Sequence, residues 1–507
     1  MSIPLPLFIA IPLATAFFLP IIGGRGKRVA TLLANLVTGS LLAFAILAIG
    51  KHAVYQIGKW PIPLGINLVL DGLSGLLLLA IGIVSAAAML FSVRYMEQYT
   101  AKAKYLSLFL LMVAGMNGVV LSGDIFNLFV FLEIASIASY ALVGFGCGAE
   151  ELEASFKYMV LGSIASILIL FAIALTYGNT GSLNMAYISA AIQTSGLNSG
   201  LAFALSLFIA GFGLKAALVP FHAWLPDAHP SAPAPISAML SGVLIKALGV
   251  YALMRVVFNI FGVSLPVAWI LTTLGIVSMI IGAFLALGQW DLKRLLAYSS
   301  ISQLGYVVLG IGLGGLIISR GGSPTWASLA LLGGLFHLIN HSVYKSLLFL
   351  TSGSIEMSTG TRQLQQMGGL AGKLPFTRAT CTVASASIAG VPPFSGFWSK
   401  LIMVIAAVQA RFIWVAAIIV FVSVCTLIMY LKVQRYVFLG ELPDSLRNIK
   451  EERGSMVVAM IVLAVLCVCM GLLVLVPALK INILDPAVKV LIDGLGYSAR
   501  MISTGSM

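Results

Sequence analysis

The chain is 507 residues long, 60% hydrophobic and only 9% charged, with a mean hydropathy of +1.08. Soluble domains carry about 25% charged residues, so this composition excludes a water-soluble globular protein and predicts a polytopic membrane protein in a lipid bilayer. The net charge of +13 suits nucleic-acid binding, but its distribution among the loops explains it without such a partner.

A membrane-spanning helix needs about 20 apolar residues. Fourteen such stretches are predicted, near 3–22, 29–49, 70–93, 105–122, 125–146, 156–177, 201–219, 235–258, 266–288, 296–318, 327–352, 376–410 (interrupted), 412–438 and 456–477. The first has no basic run before it and no convincing small-residue cleavage site, so a retained helix is expected rather than a signal peptide. Of the 29 Lys and Arg, seventeen fall in odd-numbered loops and eight in even-numbered loops and the tail, Arg255 among the eight. The positive-inside rule then puts the odd loops in the cytoplasm and both termini outside. The remaining four, Lys215, Lys246, Lys345 and Lys400, lie inside spans.

The first three spans carry almost no polar chemistry. Asp71 opens the third and is expected to cap it, as Asp124 caps the fifth. Glu133 lies nine residues beyond Asp124, about 13 Å along a helix axis, which is mid-bilayer. A lone carboxylate there would be costly, so Glu133 is expected to partner a buried lysine. The uncharged, Asn- and Ser-rich segment 178–200 suits an outer surface.

The stretch 212–255 is the densest in unusual features. Lys215 sits in an apolar run five residues before Pro220, which with Pro226 breaks the helix. His222, Asp227 and His229 crowd the break, too irregularly spaced to predict a metal site, and Lys246 lies eleven residues into the next span. An ammonium at bilayer depth costs at least about 2.5–3.5 kcal/mol on insertion scales, and broken backbone there survives only inside protein or against water. An ion path is the expected reason for both.

Further on, Asp291, Lys293 and Arg294 look like an interfacial anchor. His337, His341 and Lys345 are spaced i, i+4, i+8, so they share one helix face, and histidine is a ready proton shuttle. Pro392 and Pro393 break the twelfth span ahead of Lys400. VPFHAWLP and VPPFSGFW are alike, each with Pro-Phe at the break and Trp soon after. Two Pro-interrupted spans five apart are the mark of repeated transporter halves. The charged segment 432–454 reads as a solvated linker, and the tail 480–507 as an amphipathic segment on the outer surface. The five cysteines form no CxxC pair and no metal spacing.

DIFNLFVFLEIASIASY, GLKAALVPFHAWLPDAHPSAPAPISAMLSGVLIKALG, DLKRLLAYSSISQLGY, FHLINHSVYKSLLFLTSG and GVPPFSGFWSK together resemble the antiporter-like membrane subunits. That family includes proton-pumping subunits of respiratory complex I, the D subunit of Mrp-type sodium/proton antiporters, and counterparts in membrane-bound nickel–iron hydrogenases. The resemblance covers roughly spans 3 to 13. It implies an all-α polytopic fold of about 14 transmembrane helices, with spans 4–8 and 9–13 as two inverted five-helix repeats and the seventh and twelfth helices broken. The expected plan is then an N-terminal three-helix segment (1–104), two half-channels (105–258 and 266–438), and a linker, last helix and tail (439–507).

By the same resemblance the family's ion-pair glutamate falls on Glu133 and its partner on Lys215. The eighth-helix lysine falls on Lys246, the polar relay of the eleventh on His337, His341 and Lys345, and the terminal residue of the twelfth on Lys400, where some members have glutamate. The implied partners are other membrane subunits of one complex in a prokaryotic plasma membrane, the implied ion H+ with or without Na+, and no cofactor is implied in this chain. The detail is closest to Mrp-type and hydrogenase membrane subunits, with a complex I type member as the alternative. A secondary transporter of an organic solute shares the broken helices and predicts a solute-sized midplane cavity instead. There is no HExxH, GxSxG or catalytic carboxylate pair, so no catalytic centre is expected in the chain itself.

Overall fold

A computed structural model describes residues 4–23, 26–452 and 454–505. The chain is 80% helical, as it must be where no water satisfies the backbone. In order the helices are α1 (Leu7–Gly23), α2 (Lys27–Ala48), α3 (Gly72–Tyr95), α4 (Lys102–Leu121), α5 (Ile125–Val143), α6 (Ala149–Thr180), α7 (Met185–Ser195), α8 (Ser199–Lys215), α9 (Leu225–Ser231), α10 (Ala234–Ile260), α11 (Leu265–Leu287), α12 (Leu292–Ser319), α13 (Pro324–Thr359), α14 (Pro375–Ala389), α15 (Ser395–Gln409), α16 (Ile413–Phe438), α17 (Ser455–Cys469), α18 (Asp485–Asp493) and α19 (Gly496–Gly505). Among the described residues, ten helical stretches are long and apolar enough to cross a membrane, and α1, α8 and α15 are shorter apolar helices. This is a multi-pass membrane protein.

Three helices form the centre. α10 is buried throughout, α13 from 330 to 355, and α12 from 299 to 317. A helix enclosed on every side needs no polar face toward water, which frees its polar residues to face one another. The outer helices turn Leu, Ile and Phe outward, as at Leu36 of α2, Ile167 and Phe171 of α6, and Phe421 of α16. Close approach of backbones relies on glycine. A Cβ at Gly249 would lie 2.6 Å from Ala216, so this contact sets α10 directly against the end of α8.

Several expectations need correction. The chain is not purely helical: β1 (Ala53–Gln56) pairs antiparallel with β2 (Asn67–Leu70). The segment read as an outer loop contains α7, capped by Asn184. Arg255 is not in a loop. It is buried within α10 and ion-paired at 2.6 Å with Asp71, which also caps α3 through Leu73 and Ser74. Lys293 is not an interfacial anchor either; it is buried and pairs with Glu356 at 2.8 Å. The charged segment 432–454 begins inside α16; the linker beyond it, 439–452, is largely exposed as expected, and its Glu451 carboxylate accepts hydrogen bonds from Phe376 N and Thr377 N at the start of α14. Part of the tail packs on the bundle through Val488, Val490 and Leu491 of α18, and Asn259 donates to Val490 O at 2.9 Å.

Candidate functional site

The buried cations form a row through the centre of the bundle. At one end, α8 stops at Lys215 and the chain turns before α9. The break is held by protein groups: Val219 N donates to Ser278 Oγ of α11 at 3.0 Å, and Trp224 Nε1 donates to Leu214 O at 3.1 Å. Trp224 also stacks on Tyr158 at 4.2 Å. Lys215 Nζ donates to Ser136 Oγ (3.0 Å) and Tyr140 OH (3.3 Å) and lies 3.6 Å from Glu133 Oε1. Ser166 Oγ of α6 donates to the same Glu133 oxygen. The two partners are unequally buried: the Lys215 side chain is 4% exposed and that of Glu133 29%.

Lys246 is solvated differently. The stretches Leu240–Leu244 and Lys246–Tyr251 are π-helical, a widened turn common at functional sites. Lys246 Nζ donates to Ser241 O and Gly242 O, both at 2.6 Å. Backbone carbonyls thus serve the ammonium where no carboxylate does. From there the polar contacts continue. Ser241 Oγ meets Ser300 Oγ of α12 at 2.7 Å. Next to it, Ser299 Oγ accepts from Lys345 Nζ at 2.6 Å and meets Tyr430 OH of α16 at 2.7 Å.

Beyond Lys345 the face of α13 carries His341 and His337. His337 Nδ1 meets Ser399 Oγ of α15 at 2.9 Å and its Nε2 meets Gln303 Oε1 of α12 at 3.1 Å. Ser399 is followed by Lys400, whose Nζ donates to Ile388 O (2.8 Å) and Ala389 O (3.3 Å) at the end of α14. A helix C-terminus concentrates partial negative charge, and Pro392 and Pro393 end α14 where Lys400 can use it. A cavity of about 380 Å³ lined by Gly390, Pro392, Lys400 and Leu427 lies beside this break. Among the described residues, Lys246, Lys345 and Lys400 have no carboxylate within ion-pairing distance.

The structure therefore brings Glu133, Lys215, Lys246, His337, His341, Lys345 and Lys400 into one row. Between Lys246 and Lys345 two hydrogen-bonded sets, Lys246–Ser241–Ser300 and Lys345–Ser299–Tyr430, adjoin at the neighbouring residues Ser299 and Ser300 of α12, while Lys215 and Lys246 are joined by the packing of Ala216 on Gly249. It separates the other three residues near the first break. His222 is half-buried there. Asp227 faces a surface cleft and pairs with Lys157 (3.2 Å) and Arg294 (3.0 Å). His229 is fully buried beside α13. Sequence reasoning missed Asp71–Arg255 and Lys293–Glu356. The signal for the first was Arg255's place inside the predicted span 235–258.

Residues 122–426 match the family described as "NADH:quinone oxidoreductase/Mrp antiporter, TM", and residues 56–106 match "NADH-Ubiquinone oxidoreductase (complex I), chain 5 N-terminus". The chain is 35% identical over 446 residues to the N subunit of the NADH-quinone oxidoreductase of Desulforudis audaxviator, covering 87% of this chain and 86% of that one. It is 32% identical over 443 residues to the D subunit of the Na(+)/H(+) antiporter of Alkalihalophilus pseudofirmus, covering 86% and 87%. Among solved structures, a chain of the Mrp complex from Dietzia sp. DQ12-45-1b superposes with a TM-score of 0.88 at 30% identity, covering 99% of this chain and 100% of that one.

Proposed function

The chain belongs to the NADH:quinone oxidoreductase/Mrp antiporter family of membrane subunits, and from that premise we propose that it moves protons, or exchanges sodium for protons, within a multisubunit membrane complex. The reading treats 105–258 and 266–438 as two inverted five-helix half-channels in a fold of about 14 spans, with the odd loops cytoplasmic and both termini outside. The matching Pro-Phe breaks support that division: Pro220 follows the buried Lys215 and Pro393 precedes the buried Lys400.

The observation that carries the proposal is the row of buried cations and hydroxyls that runs from the end of α8 across the enclosed α10, α12 and α13 to α15. Glu133 stabilises the ammonium of Lys215. When the pair separates, the ammonium is left without its counter-charge in a low-dielectric setting, which favours loss of the proton. The proton passes by way of Lys246 and its carbonyl cradle to Lys345, His341 and His337, and Lys400 delivers it to the other side. These sites titrate as a coupled set rather than one by one. The drive comes from a partner module of an Mrp antiporter or an energy-converting hydrogenase.

Glu133→Ala and Lys215→Ala are expected to abolish ion transport by the reconstituted complex while its subunits still co-purify. Near-normal transport in both variants would overturn the proposal.

A further inference from the structure

The relay from Glu133 to Lys400 leaves the fully buried imidazole of His229 unused. His229 lies in α9, just past the first break, with none of its surface exposed. Its ring stacks on Phe349 of α13 with centroids 4.5 Å apart. The same Phe349 ring has Lys345 Nζ at 5.7 Å from its centroid. Neither nitrogen of the His229 ring has a hydrogen-bond partner among the described residues. Buried polar atoms are nearly always satisfied, and an apolar ring would fill this stack without leaving two nitrogens unbonded.

The other side of His229 leads toward the surface. Ser237 Oγ donates to His229 O at 2.8 Å and, more weakly, to Ala232 O at 3.4 Å. Ala232 O also accepts from Lys293 Nζ at 3.2 Å, and Lys293 pairs with Glu356. Glu356 is 28% exposed and lies 3.8 Å from Arg362, which in turn pairs with Asp291 at 3.2 Å. Arg362 and Asp291, with Glu150, Asp227 and Arg294, line an open cleft of about 470 Å³. The charged groups facing the ring are thus Lys345 from α13 and Lys293 from α12, while Asp227 of its own helix turns to the cleft.

We propose that His229 carries protons between Lys345 and the Lys293–Glu356 pair, connecting the buried relay to this cleft. The inference rests on the relay proposed for Glu133 to Lys400. One ring nitrogen takes up the proton that the Lys345 ammonium releases through water. The other nitrogen gives up its own proton to water and the Glu356 carboxylate, so one proton enters and one leaves per passage. An imidazole with both nitrogens unbonded to protein is suited to this, because it can receive on one side and release on the other.

The test uses the whole complex in proteoliposomes, with proton flux measured in H2O and D2O. His229→Gln is expected to assemble and to lose at least about tenfold in flux, the scale of a missing proton-transfer group, with a larger solvent isotope effect. A merely structural role would leave the isotope effect unchanged. Glu356→Gln is expected to lower flux severalfold. Wild-type flux in His229→Gln overturns the inference; should that variant fail to assemble, wild-type flux in Glu356→Gln overturns it instead. Lys215→Ala measured in parallel separates the two levels. Its normal flux would sink the relay itself, whereas its loss beside a normal His229→Gln sinks only the branch.

Discussion

Two buried ion pairs sit in different parts of the bundle and behave as opposites. Asp71–Arg255 joins α3 to α10 at 2.6 Å, with both side chains at most 3% exposed. Glu133–Lys215 joins α5 to α8 at 3.6 Å, with the carboxylate 29% exposed. The first is enclosed by further contacts: Arg255 Nε donates to Tyr251 OH at 2.9 Å, and the guanidinium lies over the Tyr251 and Tyr497 rings. The second is shared, its lysine with Ser136 and Tyr140, its carboxylate with Ser166. A tight, enclosed pair fixes helices. A loose pair can open while each group keeps its hydroxyl partners, though the ammonium then lacks a counter-charge.

The largest expected effect comes from breaking the enclosed pair. Asparagine caps a helix about as well as aspartate, so Asp71→Asn keeps the start of α3 and removes only the charge. It leaves a buried guanidinium unpaired, which costs about 3–5 kcal/mol. A lowered midpoint in chemical unfolding of the purified protein checks this. Adding Arg255→Met should recover much of the loss, since replacing a whole buried pair by apolar side chains is often neutral. A double variant as unstable as Asp71→Asn would mean that the two side chains act independently.

Glu133→Gln is expected to do the reverse. Its stability cost should stay at about 1 kcal/mol, because Lys215 keeps Ser136 and Tyr140 as hydrogen-bond partners and the glutamine carbonyl can still accept from it. Transport should nevertheless fall by at least about tenfold, which corresponds to roughly 1.4 kcal/mol in a barrier. Unfolding midpoints and proteoliposome flux, measured on the same preparation, decide the matter. If Glu133→Gln unfolded as easily as Asp71→Asn, the contrast between a fixing pair and an opening pair would be lost.

What the sequence disclosed of this contrast follows from how local each signal is. The cap at Asp71, the cap at Asp124, the Pro-marked breaks and the shared face of His337, His341 and Lys345 are set by neighbours within a turn or two, and all four are present. Glu133 asked for a basic partner on energetic grounds alone, and Lys215 supplies it. The misses are long-range or geometric. Arg255 meets Asp71 from 184 residues away, and Lys293 finds Glu356 on another helix. The carbonyl cradle of Lys246 depends on a π-helical path that leaves no periodic trace. Lys400 depends likewise on the carbonyls at the end of α14, which become usable only because the second break stops that helix.

The smallest predicted effect tests what keeps the opening pair loose. Ser166 Oγ, with one proton to give, is within donating reach of Glu133 Oε1, the same oxygen that faces Lys215, and of Gly162 O at 2.9 Å. A hydrogen bond to a charged group contributes about 1.5–3 kcal/mol and one between neutral groups about 1 kcal/mol, so this hydroxyl competes with the ammonium for the carboxylate. Without it the carboxylate should close on Lys215 and approach the tight geometry of Asp71–Arg255. Ser166→Ala is therefore expected to slow transport by a few fold, roughly the effect of 1 kcal/mol, with assembly and unfolding midpoint unchanged. Flux equal to or faster than wild type would show that the hydroxyl does not hold the pair apart, and that the exposure of Glu133 alone sets how readily it opens.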